Sequence, residues 1–161
     1  MPSTVRDILH YIATEYPHKE ELSKGRSTKL VYLCDWRHVL QTGEQATPIS
    51  WRFDNYGPFV WDVYDAAKEY DKLFRIDEVE NMYGSKKTLI VPLNSDYQSN
   101  ITQSQRDAAD HVISQTKNLN WDDFIKLVYS TYPVVSSEKY SSLDLPKLAT
   151  EYKKSSMYQG S

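Results

Sequence analysis

The chain has 161 residues, with 19 Lys+Arg against 22 Asp+Glu and a formal net charge of -3. A length of this order fits one domain with a core of its own, and an aromatic content of 13% argues against disorder. No apolar run approaches the ~18 residues of a membrane span, Met1 to Arg6 lack the basic-then-apolar pattern of a secretory signal, and one cysteine, Cys34, cannot form an internal disulfide, which fits a cytoplasmic setting.

Val5, Ile8, Leu9, Ile12, Ala13 and Tyr16 recur at helical spacing over Thr4 to Tyr16, with Arg6, Asp7, Thr14 and Glu15 elsewhere. This predicts an amphipathic helix capped by Ser3 or Thr4 and stopped by Pro17. A second helix is predicted from Ser27 or Thr28 to about Leu40, with Gly43 as its stop signal. It is apolar on most sides, which marks a central element. Ile49, Trp51 and Phe53 then alternate with Ser50, Arg52 and Asp54, the pattern of a short strand. Asn55-Tyr56-Gly57-Pro58 breaks it, and Pro58 suits the first turn of a helix from Phe59 to about Tyr70, with Val60, Val63, Tyr64 and Ala67 inward. Phe74 to Glu80 and Lys86 to Leu93 read as a hairpin. Its acidic arm (Asp77, Glu78, Glu80) faces a basic one (Lys86, Lys87), and cross-strand charge pairing is expected to set the register. With the Trp51 strand it is expected to form a small antiparallel sheet.

Thr102-Gln103-Ser104-Gln105 has the form of a capping box opening a helix to about Lys117. Asn120 is placed to cap a helix from Trp121 to Tyr132, with Trp121, Phe124, Ile125, Val128, Tyr129 and Tyr132 on one core-facing stripe and Pro133 as its end. A short last helix is predicted from about Leu145 to Lys153. The sum is a mostly helical α+β fold, about six helices with a small antiparallel sheet and hairpin. It makes one domain over residues 1–154, followed by a polar tail over 155–161.

Chemistry-bearing patterns are sparse. Cys34 and His38 share a helix face, but a metal site needs three or four ligands, and His10, His18 and His111 show no metal spacing with this pair. Cys34 lies in an apolar run, unlike a reactive thiol. Asp35 and His38, three apart, suit either an acid–base pair or a satisfied polar pair in the core. No glycine-rich phosphate loop and no nucleophile-elbow serine is present. No cofactor is expected, and a small enzyme or metal protein using Cys34, Asp35 and His38 stands as the alternative. For nucleic acid the candidates are Trp51-Arg52-Phe53 and Trp36-Arg37-His38; the acidic run from Asp62 to Glu80 would repel phosphate and counts against them. What remains is surface. Tyr56, Phe59, Trp61, Tyr64, Tyr132, Tyr140, Tyr152 and Tyr158 exceed what such a core readily hides, and Tyr and Trp are enriched at protein interfaces. An acidic aromatic surface would suit a basic protein partner.

Three ordered motifs carry a family resemblance: Lys29-Leu30-Val31-Tyr32-Leu33-Cys34-Asp35, then Asn55-Tyr56-Gly57-Pro58-Phe59, then Val63-Tyr64-Asp65. With Leu127-Val128-Tyr129-Ser130-Thr131-Tyr132-Pro133 they resemble the Panacea, or SocA-like, antitoxin family, with Lys29, Tyr32, Asp35, Gly57 and Pro58 as the motif positions. The resemblance implies a mostly helical domain with a small antiparallel sheet and a non-enzymatic role. That role is the antitoxin of a toxin–antitoxin pair, often carried on phages or mobile elements, which neutralises a cognate toxin protein by direct contact. Delivery of the toxin to a cytoplasmic protease, or a counter-defence role, are the alternatives in the same vein. The contact surface is expected near Trp51, Arg52, Asp54, Tyr56 and Trp61.

Overall fold

A computed structural model describes residues 3–155, so the tail beyond Ser155, with Tyr158, lies outside the described residues. The first helix, α1 (Ser3–Glu15), buries Val5, Ile8, Leu9, Ile12 and Ala13 as the spacing requires. It also buries Asp7, which the pattern places on the outer face. The Asp7 carboxylate is held by Arg6 Nε at 2.9 Å, the Tyr97 hydroxyl at 2.7 Å and the Asn100 amide at 3.1 Å.

The central helix, α2 (Lys24–Thr42), starts earlier than expected, because Ser23 supplies the cap by accepting from the Arg26 amide. Gly43 closes it with φ 89°. Nearly every side chain from Arg26 to Val39 is buried, as an element apolar all round must be.

The Trp51 strand, β1 (Trp51–Asp54), does not join the hairpin. It pairs on one side with β2 (Gly57–Pro58) and on the other with β5 (Ser142–Leu143), in antiparallel order β2-β1-β5. Gly57-Pro58 is therefore a returning strand, not a helix start. The Phe59 amide donates to the Arg52 carbonyl at 3.0 Å, which holds the chain against β1 until α3 (Asp62–Glu69) can begin. Val63, Ala66 and Ala67 form its buried face.

The hairpin of β3 (Phe74–Glu80) and β4 (Lys86–Pro92) is a separate two-stranded sheet. Glu80 stands opposite Lys86, but Glu78 faces Thr88 and Asp77 faces Leu89. Asp77 pairs with Arg75 on its own strand at 2.8 Å, because residues two apart share a face of the pleat. The hairpin's inner end docks on the segment before α2, where the Ile90 amide donates to the Leu22 carbonyl.

Helix α4 (Gln103–Thr116) opens on the expected capping box, with Thr102 and Gln105 reciprocally bonded. Asn120 caps α5 (Trp121–Ser130) through the Asp123 amide. This helix stops two residues short of Tyr132. The Thr131 hydroxyl donates to the Val128 carbonyl, and Pro133 lies in the first turn of a new helix, α6 (Tyr132–Ser136). The last helix, α7 (Leu145–Lys154), is capped by Asp144. Seven α-helices thus stand among the described residues where about six were expected. Buried apolar side chains from all seven, and from β1, β3, β4 and β5, form one contiguous cluster.

Candidate binding cleft

Lys29, Tyr32 and Asp35 recur every three residues along α2, so they advance along one side of the helix, and this side lies under β1 and β2. Asp35 accepts from the Thr47 amide at 2.8 Å, the Thr47 hydroxyl at 2.6 Å and the Trp51 indole N–H at 2.8 Å. Burial pushes its carboxyl up to about 7, and these donors pull in the opposite direction. Tyr32 bonds the Thr131 hydroxyl at 2.8 Å and meets the Trp51 ring edge-on at 5.5 Å. Gly57 has φ +99°, and a β-carbon there would stand 3.2 Å from Tyr129 Cε1 and 3.6 Å from Lys29 Cε. The motifs on α2, on the β1–β2 turn and at the end of α5 thus meet in one place.

Above this meeting point a cleft of about 540 Å³ opens. Lys24, Gly25 and Lys29 of α2 line one side. Asp54, Asn55 and Tyr56 of the β1–β2 turn, the connecting residues Phe59 and Trp61, and Trp121 at the start of α5 complete it. A second hollow of about 330 Å³, lined by Tyr56, Trp121, Ile125, Lys126 and Tyr129, adjoins it across the shared Tyr56 and Trp121. Tyr56 is 75% exposed, Trp61 56% and Trp121 48%. Lys24 Nζ sits 4.8 Å from the Trp61 ring and 5.0 Å from the Tyr64 ring, holding that wall by cation–π contact.

Of the residues expected at the contact surface, Asp54, Tyr56 and Trp61 line the cleft. Arg52 is exposed on β1 and does not line the cleft. Trp51 is a correction: it is 2% exposed, and its indole is spent on Asp35. Alternation along β1 identifies two faces but not which one is covered. Trp121 is a second correction, since it lines the cleft instead of the core. In the first turn of α5 it lies beyond the buried stripe, which is carried by Phe124 and Val128. The expected acidic aromatic surface is also revised, because the cleft carries two lysines and one aspartate. The signal for Lys24 was its place just after the capping Ser23, which the predicted later helix start concealed.

Cys34 and His38 do not converge on chemistry. Cys34 is fully buried, and burial together with the neighbouring Asp35 pushes its thiol well up, away from the thiolate. His38 bonds the Glu44 carbonyl through Nδ1 at 2.6 Å and the Ser104 hydroxyl through Nε2 at 2.9 Å; Asp35 is engaged elsewhere. Among the described residues no three His, Cys, Asp or Glu side chains are grouped to hold a metal ion. No described helix is long and apolar enough to cross a membrane.

The chain is thus mostly helical α+β with an open aromatic cleft. The sequence model of the antitoxin SocA-like, Panacea domain family matches residues 28–133. The chain belongs to that family, and the matched stretch holds Lys29, Tyr32, Asp35, Gly57 and Pro58. No curated protein and no solved structure matches the chain.

Proposed function

We propose that this chain is the cytoplasmic antitoxin of a toxin–antitoxin pair, and that it neutralises its cognate protein toxin by seating part of it in the aromatic cleft. Family membership supports an antitoxin role. The observation that carries the mode of action is the exposure of Tyr56, Trp61 and Trp121 around one concavity, because large aromatics at a cleft rim are the residues from which binding hot spots are built. The Cys34 thiol is buried and both ring nitrogens of His38 are hydrogen-bonded, so neither is poised as a nucleophile or general base.

Co-expression with the product of the adjacent open reading frame tests this. Growth arrest by that product, relieved by this chain and accompanied by a co-purifying complex, is the expected result. Tyr56→Ala with Trp61→Ala should abolish both relief and complex while leaving the fold intact, since both rings are exposed. A harmless neighbour, or full relief by the double variant, overturns the proposal. An unchanged partner half-life marks occlusion; a shortened one marks delivery to a protease in place of occlusion.

A further inference from the structure

Burying a charged side chain is costly unless it is paired or hydrogen-bonded, and this chain follows that rule at nearly every such position. Asp7 and Asp35 have the partners given above. Arg26 donates to the Tyr16 hydroxyl and to the carbonyls of Thr116 and Leu119. His10 bonds the Leu93 carbonyl, and His38 is satisfied on both sides. Lys29 is the exception. It is 3% exposed as a residue, and among the described residues its amine has no hydrogen bond and no carboxylate within ion-pairing distance; its Nζ is not one of the fully enclosed unpartnered atoms, so it opens toward the cleft. Its nearest ring, Phe59, lies 5.8 Å from Nζ, a weak substitute for an anion. Asp54 favours its charge only through space, and burial lowers the amine to about 8.

Lys29 lines the cleft, and its stem runs beside Gly57, with Cε 3.6 Å from where a β-carbon would stand. We infer that Lys29 is the waiting counter-ion for a glutamate or aspartate side chain on a segment of the partner polypeptide, whose apolar neighbours pack on the Phe59, Trp61 and Trp121 walls. This inference rests on the proposal that the cleft seats a partner protein. The charged groups sharing the cleft are Lys24 and Asp54, with Lys126 in the adjoining hollow. The lining is thus locally basic on a chain of net charge -3, so an acidic segment is complementary to it. A nucleic acid fits less well. Its affinity comes from several exposed phosphate contacts, whereas this cation is single and recessed, and α3 beside the cleft carries Asp62 and Asp65 in its first turn.

The probes are two capped tripeptides without free termini, acetyl-Leu-Glu-Phe-amide and acetyl-Leu-Gln-Phe-amide, with an oligothymidylate as the nucleic-acid arm. Binding is read by quenching of the tryptophan emission and by the Lys29 Cε resonance of the full chain. The glutamate peptide should bind about tenfold more tightly than the glutamine one, the effect of one charge-assisted contact, and should raise the Lys29 titration midpoint. Lys29→Met should erase the preference. Trp61→Ala, on the exposed rim, should weaken both peptides while the Lys29 resonance still responds to the glutamate one, so the test survives a misfolded Lys29 variant. Equal affinity for the two peptides, no binding of either, or Lys29-dependent binding of oligothymidylate alone overturns the inference. In the growth assay, unimpaired protection by folded Lys29→Met removes Lys29 and leaves the antitoxin proposal standing. A glutamate preference in a chain that protects against nothing does the reverse.

Discussion

Lys29 shows how one side chain can set function against stability. Its amine, near 8 in the fold, lies below the ordinary 10.5 of the unfolded chain. Between those values the unfolded state binds the proton more tightly, so this group makes stability rise with pH; below about pH 8 its penalty is present in full. Lys29→Met removes the penalty. The variant should be more stable than the parent near neutral pH, by up to roughly 3 kcal/mol, and the gap should close as pH rises from about 8 toward 10.5. Paired urea melts of parent and variant at about pH 7 and about pH 10 measure it. The comparison cancels Tyr32 and Cys34, whose protons burial also holds. A variant less stable than its parent at neutral pH would show that Lys29 is held by an interaction of its own. Lys29 was legible in sequence as a motif residue. Its missing partner was not, because a lysine on a helix that is apolar all round is ordinarily read as snorkelling to water.

At the scale of the element, the β1–β2 turn decides where the cleft lies. Gly57 combines a left-handed φ with close approach to Tyr129, and the two costs can be separated. Gly57→Ala should destabilise by about 1–3 kcal/mol and loosen the turn that carries Tyr56. Gly43→Ala has a similar φ of +89° but nothing within 4 Å of the added carbon, so it should cost only the backbone share, about 1 kcal/mol. Thermal melts of the two variants give the comparison; equal losses would mean that the Tyr129 contact adds nothing. Helix α5 makes a second case. A fully buried tryptophan typically costs ~3–5 kcal/mol on truncation. Trp121 is half exposed and rests its ring on Phe124 at 5.9 Å and on Gly25. Trp121→Ala should therefore cost about 1 kcal/mol while weakening partner binding at least as much as Trp61→Ala. A loss of core size in the melt would return Trp121 to the interior. Its helical spacing was read correctly and its burial was not. Periodicity reports which residues share a stripe, whereas the extent of cover depends on what packs over each turn.

Across the whole molecule, the strand content was recognised and its pairing was not. The Trp51 strand was expected beside the hairpin, its near neighbour in sequence. It takes Ser142 and Leu143 instead, after four α-helices have intervened. This crossover seats β1 over α2 and brings Tyr32, Asp35 and Trp51 into one buried network, on which the cleft is built. The sequence alone determined the features that neighbours a few residues apart can decide. These are the capped starts of α4 and α5, the amphipathic first helix, the apolar central one and the break in the strand pattern at Asn55 to Pro58. The tertiary structure decided which strand pairs with which, that Trp51 is covered while Trp121 is open, and that Lys29 has no carboxylate within ion-pairing distance among the described residues. Those outcomes depend on contacts between distant segments and on the water they exclude, and no local pattern of residue types encodes either.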